Sequence, residues 1–211
     1  MPAEAKSAAP FVPEDPTLTK LRSASKSCKG CHLYKVGTQT VFGEGPKDAK
    51  LMFVGEQPGD QEDRTGKPFV GPSGRLLDAA LDAAGIDRGI AYVTNAVKHF
   101  KWEKRPGTAR RIHKKPNDGE VRACHPWLDA ELAVLKPTVV VALGATAAQS
   151  MLGKQFRVST QRGKPQRPWG REGAVVIATV HPSSVLRAPP DQRAEAEKAF
   201  MADIRKVAKY L

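Results

Sequence analysis

Apolar positions in this chain fall into short continuous runs separated by stretches with helical spacing. Leu51 to Val54, Ile90 to Thr94, Thr138 to Leu143 and Ala174 to Val180 have the length and continuity of strands buried on both faces. Between them, Leu76, Leu77, Ala80, Leu81 and Ala84 make one apolar stripe ending at Gly85. Trp127, Leu128, Leu132 and Leu135 make a second, with Pro126 near its start, where a missing N–H costs least. A short helix is predicted from Thr146 to Leu152, stopping at Gly153. The last runs from about Gln192 to Tyr210, capped by Asp191 and burying Phe200, Ile204, Val207 and Leu211. Strands alternating with helices predict an α/β fold, a three-layer α/β/α sandwich around a mainly parallel four-stranded sheet.

Polar residues gather where the apolar runs stop. Glu56 and Gln57 follow the first strand, Asn95 the second, Gly144 the third and His181 the fourth. The carboxyl ends of strands in an open α/β sheet form the ligand crevice, so these distant residues are expected to meet. The first strand runs into Gly55 to Leu77, GEQPGDQEDRTGKPFVGPSGRLL. Its glycines permit tight turns and close approach to a ligand, and Glu56, Asp60, Glu62 and Asp63 offer carboxylates. Its length and the apolar Pro68, Phe69 and Val70 argue for a functional loop.

Composition narrows the class of partner. A chain of 211 residues with 40% hydrophobic content suits one domain, spanning 18–211, preceded by a flexible tail from Met1 to Thr17 rich in Ala, Pro and charge. No segment resembles a signal peptide or a membrane span, so a soluble, cytoplasmic protein without membrane contacts is expected, most simply a monomer. The net charge of +12 favours a polyanion, with nucleic acid the natural candidate. Three cysteines argue for a metal site and against a disulfide framework. Cys28 and Cys31 form a CxxC knuckle with Gly30 at its turn, and Cys124 is the third thiol. A fourth ligand is required; zinc and redox chemistry both suit such a knuckle.

The Gly55–Leu77 motif resembles the first motif of the family 4 uracil-DNA glycosylases, close to GEAPGxxEDxxGxPFVGxAGxLL. HPSSVLR, starting at His181, resembles the family's second motif. The resemblance implies the uracil-DNA glycosylase fold, a uracil-containing DNA partner, single- or double-stranded, and a [4Fe-4S] cluster. Histidine stands at 99 where the family has a cysteine, which gives Cys28, Cys31, His99 and Cys124 as implied ligands, since His replaces Cys on iron in Rieske centres. A Cys3His zinc site fits the same residues, and His32 is an alternative ligand. By the same resemblance, Gly55, Asp60, Phe69 and Asn95 bind uracil, with Phe69 stacking and Asn95 reading the O4 and N3–H edge. His181 serves the uracil oxygen and Glu56 the sugar cation.

Two departures are similar to the X-type branch, whose members crosslink themselves to uracil DNA. Gln57 replaces the family's alanine, and an amide cannot act as a water-activating base. An insertion from Lys101 to Asn117 adds a basic loop containing RRIHKKP, which places His113 at the branch's nucleophilic histidine. Arg110, Arg111, Lys114 and Lys115 there, with Ser183 and Arg187 of the second motif, are expected to contact DNA. Three readings follow: a glycosylase captured covalently through His113, a hydrolytic glycosylase in which His113 only meets phosphate, and a noncatalytic zinc module that binds nucleic acid.

Overall fold

The computed structural model describes residues 7–170 and 173–211. Its strands are β1 (Leu51–Gly55), β2 (Ala91–Asn95), β3 (Trp102–Lys104), β4 (Arg111–His113), β5 (Val139–Leu143), β6 (Pro165–Gln166) and β7 (Val175–Thr179). Its α-helices are α1 (Leu18–Ser25), α2 (Asp60–Thr65), α3 (Pro72–Ala83), α4 (Asp118–Leu135), α5 (Ala145–Leu152), α6 (Val158–Gln161), α7 (Pro182–Leu186) and α8 (Pro190–Val207). None is long and apolar enough to cross a membrane.

The central sheet has the order β2-β1-β5-β7-β6. β2, β1, β5 and β7 are mutually parallel, and every residue in them is buried. Alternate residues feed two cores. Leu51, Phe53, Val93, Val141 and Ile177 pack with Leu77 and Leu81 of α3 and Phe200 and Ile204 of α8. Met52, Val54, Tyr92, Val140 and Val176 pack with Leu128 and Leu135 of α4 and Ala147 of α5. The three-layer sandwich is therefore as the apolar runs predict. The chain leaves β1 through α3 to one neighbour and returns through α4 to the other, so β1 sits at the switch point where an α/β crevice opens.

Several local expectations are corrected. The sheet has five strands, because β6 adds an antiparallel edge beside β7. Two residues starting with proline carry no periodic signal, and proline is tolerated at an edge where no ladder donor is needed. The Lys101–Asn117 insertion folds into the antiparallel pair β3–β4, with Trp102 opposite His113. Pro126 lies inside α4, which begins eight residues earlier because Asn117 and Glu120 form a capping box: the Asn117 side chain accepts from Glu120 N at 2.9 Å, and Glu120 Oε2 accepts from Asn117 N at 2.7 Å. The last helix starts at Pro190, with Pro189 as its N-cap in place of Asp191, and Leu211 is 52% exposed.

Residues 7–17 of the segment expected to be a tail are described, and one of them is anchored. Ala8 is buried, and its N–H donates to Ala123 O at 2.7 Å. A Cβ on Gly30 would lie 2.8 Å from the Ala8 backbone, so the glycine of the CxxC knuckle is what lets this segment cross it. Met1 to Lys6 lie outside the described residues.

Phe200 is wholly buried where α8 meets the sheet. Phe200→Ala is expected to lower unfolding free energy by about 3–5 kcal/mol, measured by urea denaturation.

Candidate active site

A cavity of about 420 Å³ opens at the carboxyl end of the sheet. Its base is set by register: Gly55, the last residue of β1, pairs with Asn95, the last of β2. A Cβ on Gly55 would stand 2.3 Å from Asn95 Oδ1 and 2.8 Å from Phe69 Cζ. Glycine is required here because amide and ring converge on the space a side chain would fill. Phe69 reaches it with φ +57°, a left-handed conformation uncommon for aromatic residues. Two contacts hold the loop there. Glu62 accepts from Gly59 N at 3.1 Å and Gly71 N at 2.7 Å, bracing both sides of the turn. At Gly74 a Cβ would lie 1.7 Å from Phe69 O, so only glycine admits the loop onto α3.

His181 faces Phe69, ring centroids 6.4 Å apart and planes at 29°. Ser183 N–H donates to His181 Nδ1 at 3.1 Å, and the Ser183 hydroxyl lies 2.8 Å from the same nitrogen. Nδ1 is the acceptor, which leaves the ring proton on Nε2. Burial first, then the charges of His113 and Arg187, push the His181 pKa down to about 4. The ring is a neutral N–H donor at neutral pH.

Of the four carboxylates in the loop, one serves the cavity. Asp60 is held by Arg64 at 2.9 Å and by Arg111, and these contacts keep its carboxyl below the usual range despite its partial burial. Asp63 accepts from Thr38 N at 2.9 Å and pairs with Arg111 Nη1 at 2.6 Å. With Glu62 in its brace, Glu56 remains. Its Oε2 accepts from the Thr146 hydroxyl of α5, and its Oε1 is 3.5 Å from His113 Nε2. Burial lowers the His113 pKa; Glu56 opposes this and Arg187 adds to it. His113 remains 49% exposed at the end of β4, tilted against Phe100.

Two expected roles do not match these positions, and Gln57 has partners that the sequence did not show. The Asp60 side chain lines the cavity but is tied up by two arginines. Arg111, expected on DNA, is only 10% exposed and turned inward between the rings of Phe100 and Trp102, at 5.4 and 5.3 Å. Gln57 is buried, and its amide fastens the ribbon: Nε2 donates to Lys101 O at 3.2 Å and Lys114 O at 3.0 Å, while Oε1 accepts from Lys101 N at 3.0 Å. It therefore holds both strands bearing His113 against β1. Trp102 adds a bond to Val36 O at 2.8 Å. Arg110, Lys114 and Lys115 are exposed, with Lys114 paired to Glu103, and Ser183 and Arg187 line the cavity.

Sequence reasoning missed Thr146 and the buried Lys98. Lys98 Nζ pairs with Glu131 at 2.5 Å and donates to Thr94 Oγ1 at 2.6 Å and Asn95 O at 2.7 Å. A lysine directly after the apolar Ala96 and Val97 is the signal that could have found it. No local pattern distinguishes Thr146.

Cys28, Cys31 and Cys124 are free, buried and gathered in one cluster with Trp127. Lys98 N–H and Trp127 Nε1–H each donate to a sulfur at 3.2 Å, to Cys124 and Cys28 respectively. Burial raises the Cys31 thiol and pushes Cys124 up to about 12; Lys98 opposes the latter shift. His99 is buried and its pKa lowered to about 4 by desolvation, so at neutral pH its ring is neutral and one nitrogen keeps a lone pair. His32 turns instead to Glu120, 3.4 Å away. Among the described residues no group of three or more His, Cys, Asp or Glu converges as a single-ion centre.

An α/β/α sandwich whose strand-end cavity is lined by an amide, an aromatic ring and two histidines, beside a basic ribbon, defines the class of protein. Residues 42–205 match the family described as the Uracil DNA glycosylase superfamily, and the chain belongs to it. It is 38% identical over 187 residues to a type-4 uracil-DNA glycosylase of Thermotoga maritima, covering 88% of this chain and 90% of that protein. It is also 38% identical to one of Pyrobaculum aerophilum, covering 82% and 86%. A type-5 uracil-DNA glycosylase of the latter organism is 30% identical, covering 80% and 76%.

Gln57→Ala removes three hydrogen bonds from the ribbon without touching the sheet. Limited proteolysis within 101–114 is expected to accelerate about tenfold, as loss of one to two kcal/mol of local stability requires, with the melting temperature nearly unchanged.

Proposed function

We propose that this protein excises uracil from DNA and is then captured on the sugar through His113. The observation that carries the first part is the slot bounded by Asn95 and Phe69 over a Cβ-free Gly55, with a neutral His181 beside it. A uracil everted into it stacks on Phe69 and meets the Asn95 amide with its O4 and N3–H. The N1–C1′ bond breaks with its electron pair moving to the base. His181 Nε2–H donates to the oxyanion developing at O2, and Glu56 faces the cationic sugar. Arg187, Arg110, Lys114 and Lys115 serve the phosphates, with Ser183 beside them.

Capture rests on the closeness of Glu56 and His113 and on the occupied amide of Gln57. No side-chain base stands at 57 to activate water. His113, neutral with its proton on Nδ1, bonds to C1′ through the Nε2 lone pair, and the imidazolium so formed passes its Nδ1 proton to solvent, leaving a neutral alkylated imidazole while Glu56 faces the sugar. The other reading is hydrolysis with turnover, which the type-4 names of the relatives favour.

The ligands for a [4Fe-4S] cluster would be Cys28, Cys31 and Cys124, whose buried thiols share one hydrophobic cluster, with His99 as the fourth by its place in the sequence. When bound, the iron-sulfur group supplies a crosslink between the CxxC knuckle, the segment after β2 and α4. No step of the reaction passes through it.

Incubation with end-labelled single-stranded uracil DNA, followed by a denaturing gel, separates the readings. Capture gives a uracil-dependent shift that survives detergent and disappears in His113→Ala; free abasic product formed with turnover and no shift means hydrolysis. The shift should hold at neutral pH and fade as pH drops below about 6.5, because a lowered pKa leaves His113 neutral above that range and acid removes its lone pair. For the cluster, purified protein is expected to absorb broadly near ~400 nm and to lose that absorption in Cys124→Ala; a colourless protein containing zinc would count against it.

A further inference from the structure

Thr146 connects the active site to a second cavity. Its hydroxyl meets Glu56 in the active site, and it also lines a second cavity of about 390 Å³. Lys115, Arg122 and Lys154 surround this second space, with Asp118 its one lining carboxylate. Lys154 holds Asp118 at 2.5 Å, and the pull of Lys154, then of Arg122 and Lys115, keeps that carboxyl below its ordinary range. Three cations against one anion leave a positive cavity. Among the described residues no ion pair or side-chain hydrogen bond engages Lys115 or Arg122. Pro116 and Val121 give the cavity an apolar wall beside them.

This combination of cations outside any ion pair and apolar surface matches a nucleotide, which joins an anionic phosphodiester to a flat base. Position supplies the rest. Lys115 lies two residues beyond His113 along the ribbon, and Thr146 touches Glu56 while lining the second cavity, so the two spaces are neighbours. We propose that the second cavity is a subsite for the nucleotide flanking the everted uridine, its phosphate held between Lys115 and Arg122. The inference rests on the uracil-DNA reading above and extends it to the neighbouring residue of the strand, on one side only.

The test uses fluorescence anisotropy with single-stranded oligonucleotides carrying one uracil, either extended on both sides or truncated on the 5′ or the 3′ side. Arg122→Glu, an exposed change on α4, should weaken binding of the fully extended oligonucleotide about tenfold. It should leave binding unchanged for whichever truncation removes the subsite's nucleotide, and Lys115→Glu should repeat that pattern. Lys198→Glu, an equal charge change on α8, should show no such selectivity. Equal losses on every oligonucleotide, or the same pattern from Lys198→Glu, would overturn the subsite. Excision measured on the same set separates the two ideas. Normal excision without side-selective loss sinks the subsite alone; side-selective loss without any excision sinks the glycosylase reading and leaves the subsite standing.

Discussion

The parallel register of β1 on β2 is the constraint from which the site is built. Because Gly55 stands opposite Asn95, the missing side chain and the amide share one level. The pairing continues past the strands: Ala96 N donates to Gly55 O at 2.9 Å and Val97 N to Glu56 O at 3.0 Å. Asn95 and Glu56 are thereby fixed to one another through backbone, with little freedom for either to drift. A slip of one residue would turn both side chains to the opposite face and into the helices.

Charge is distributed so that one carboxylate stays available. Arg111 draws in Asp60 and Asp63, and Glu62 caps two loop amides. The same arginine, lying between Phe100 and Trp102, joins the basic ribbon to α2. Gln57 fastens the ribbon from the other side. His113 is carried by a two-stranded element too small to be stable alone, and these long-range contacts supply the rigidity its position requires. Behind Asn95, Lys98 and Glu131 form a buried pair that also satisfies Thr94 and Tyr92. Removing one partner there would strand a charge in the interior, which costs far more than the pair contributes.

The cysteine cluster meets the site through a short piece of chain. The backbone N–H of Lys98 donates to Cys124 while its side chain holds Asn95 O. His99 follows directly, and the chain then enters the ribbon through Phe100 and Lys101. The segment from Asn95 to Lys101 therefore links the Asn95 amide, the thiols and the mount of His113. The N-terminal segment over Gly30 closes this region from outside.

Much of the architecture was legible in the sequence. Continuous apolar runs placed the four parallel strands to within a residue or two, because burial on both faces leaves a strong one-dimensional pattern. The polar residues ending those runs located Glu56, Asn95 and His181, since a parallel sheet brings strand ends together by its geometry. Local spacing did not reveal which carboxylate stays free, that Gln57 binds backbone, or that Arg111 points inward. Asp60 and Asp63 find Arg111 at separations of 51 and 48 residues, and Gln57 finds Lys114 at 57. Strand and helix positions follow from periodicities that each segment carries within itself. The partner of a polar side chain is chosen by whatever the folded chain brings within about 3 Å, and only the tertiary structure decides that.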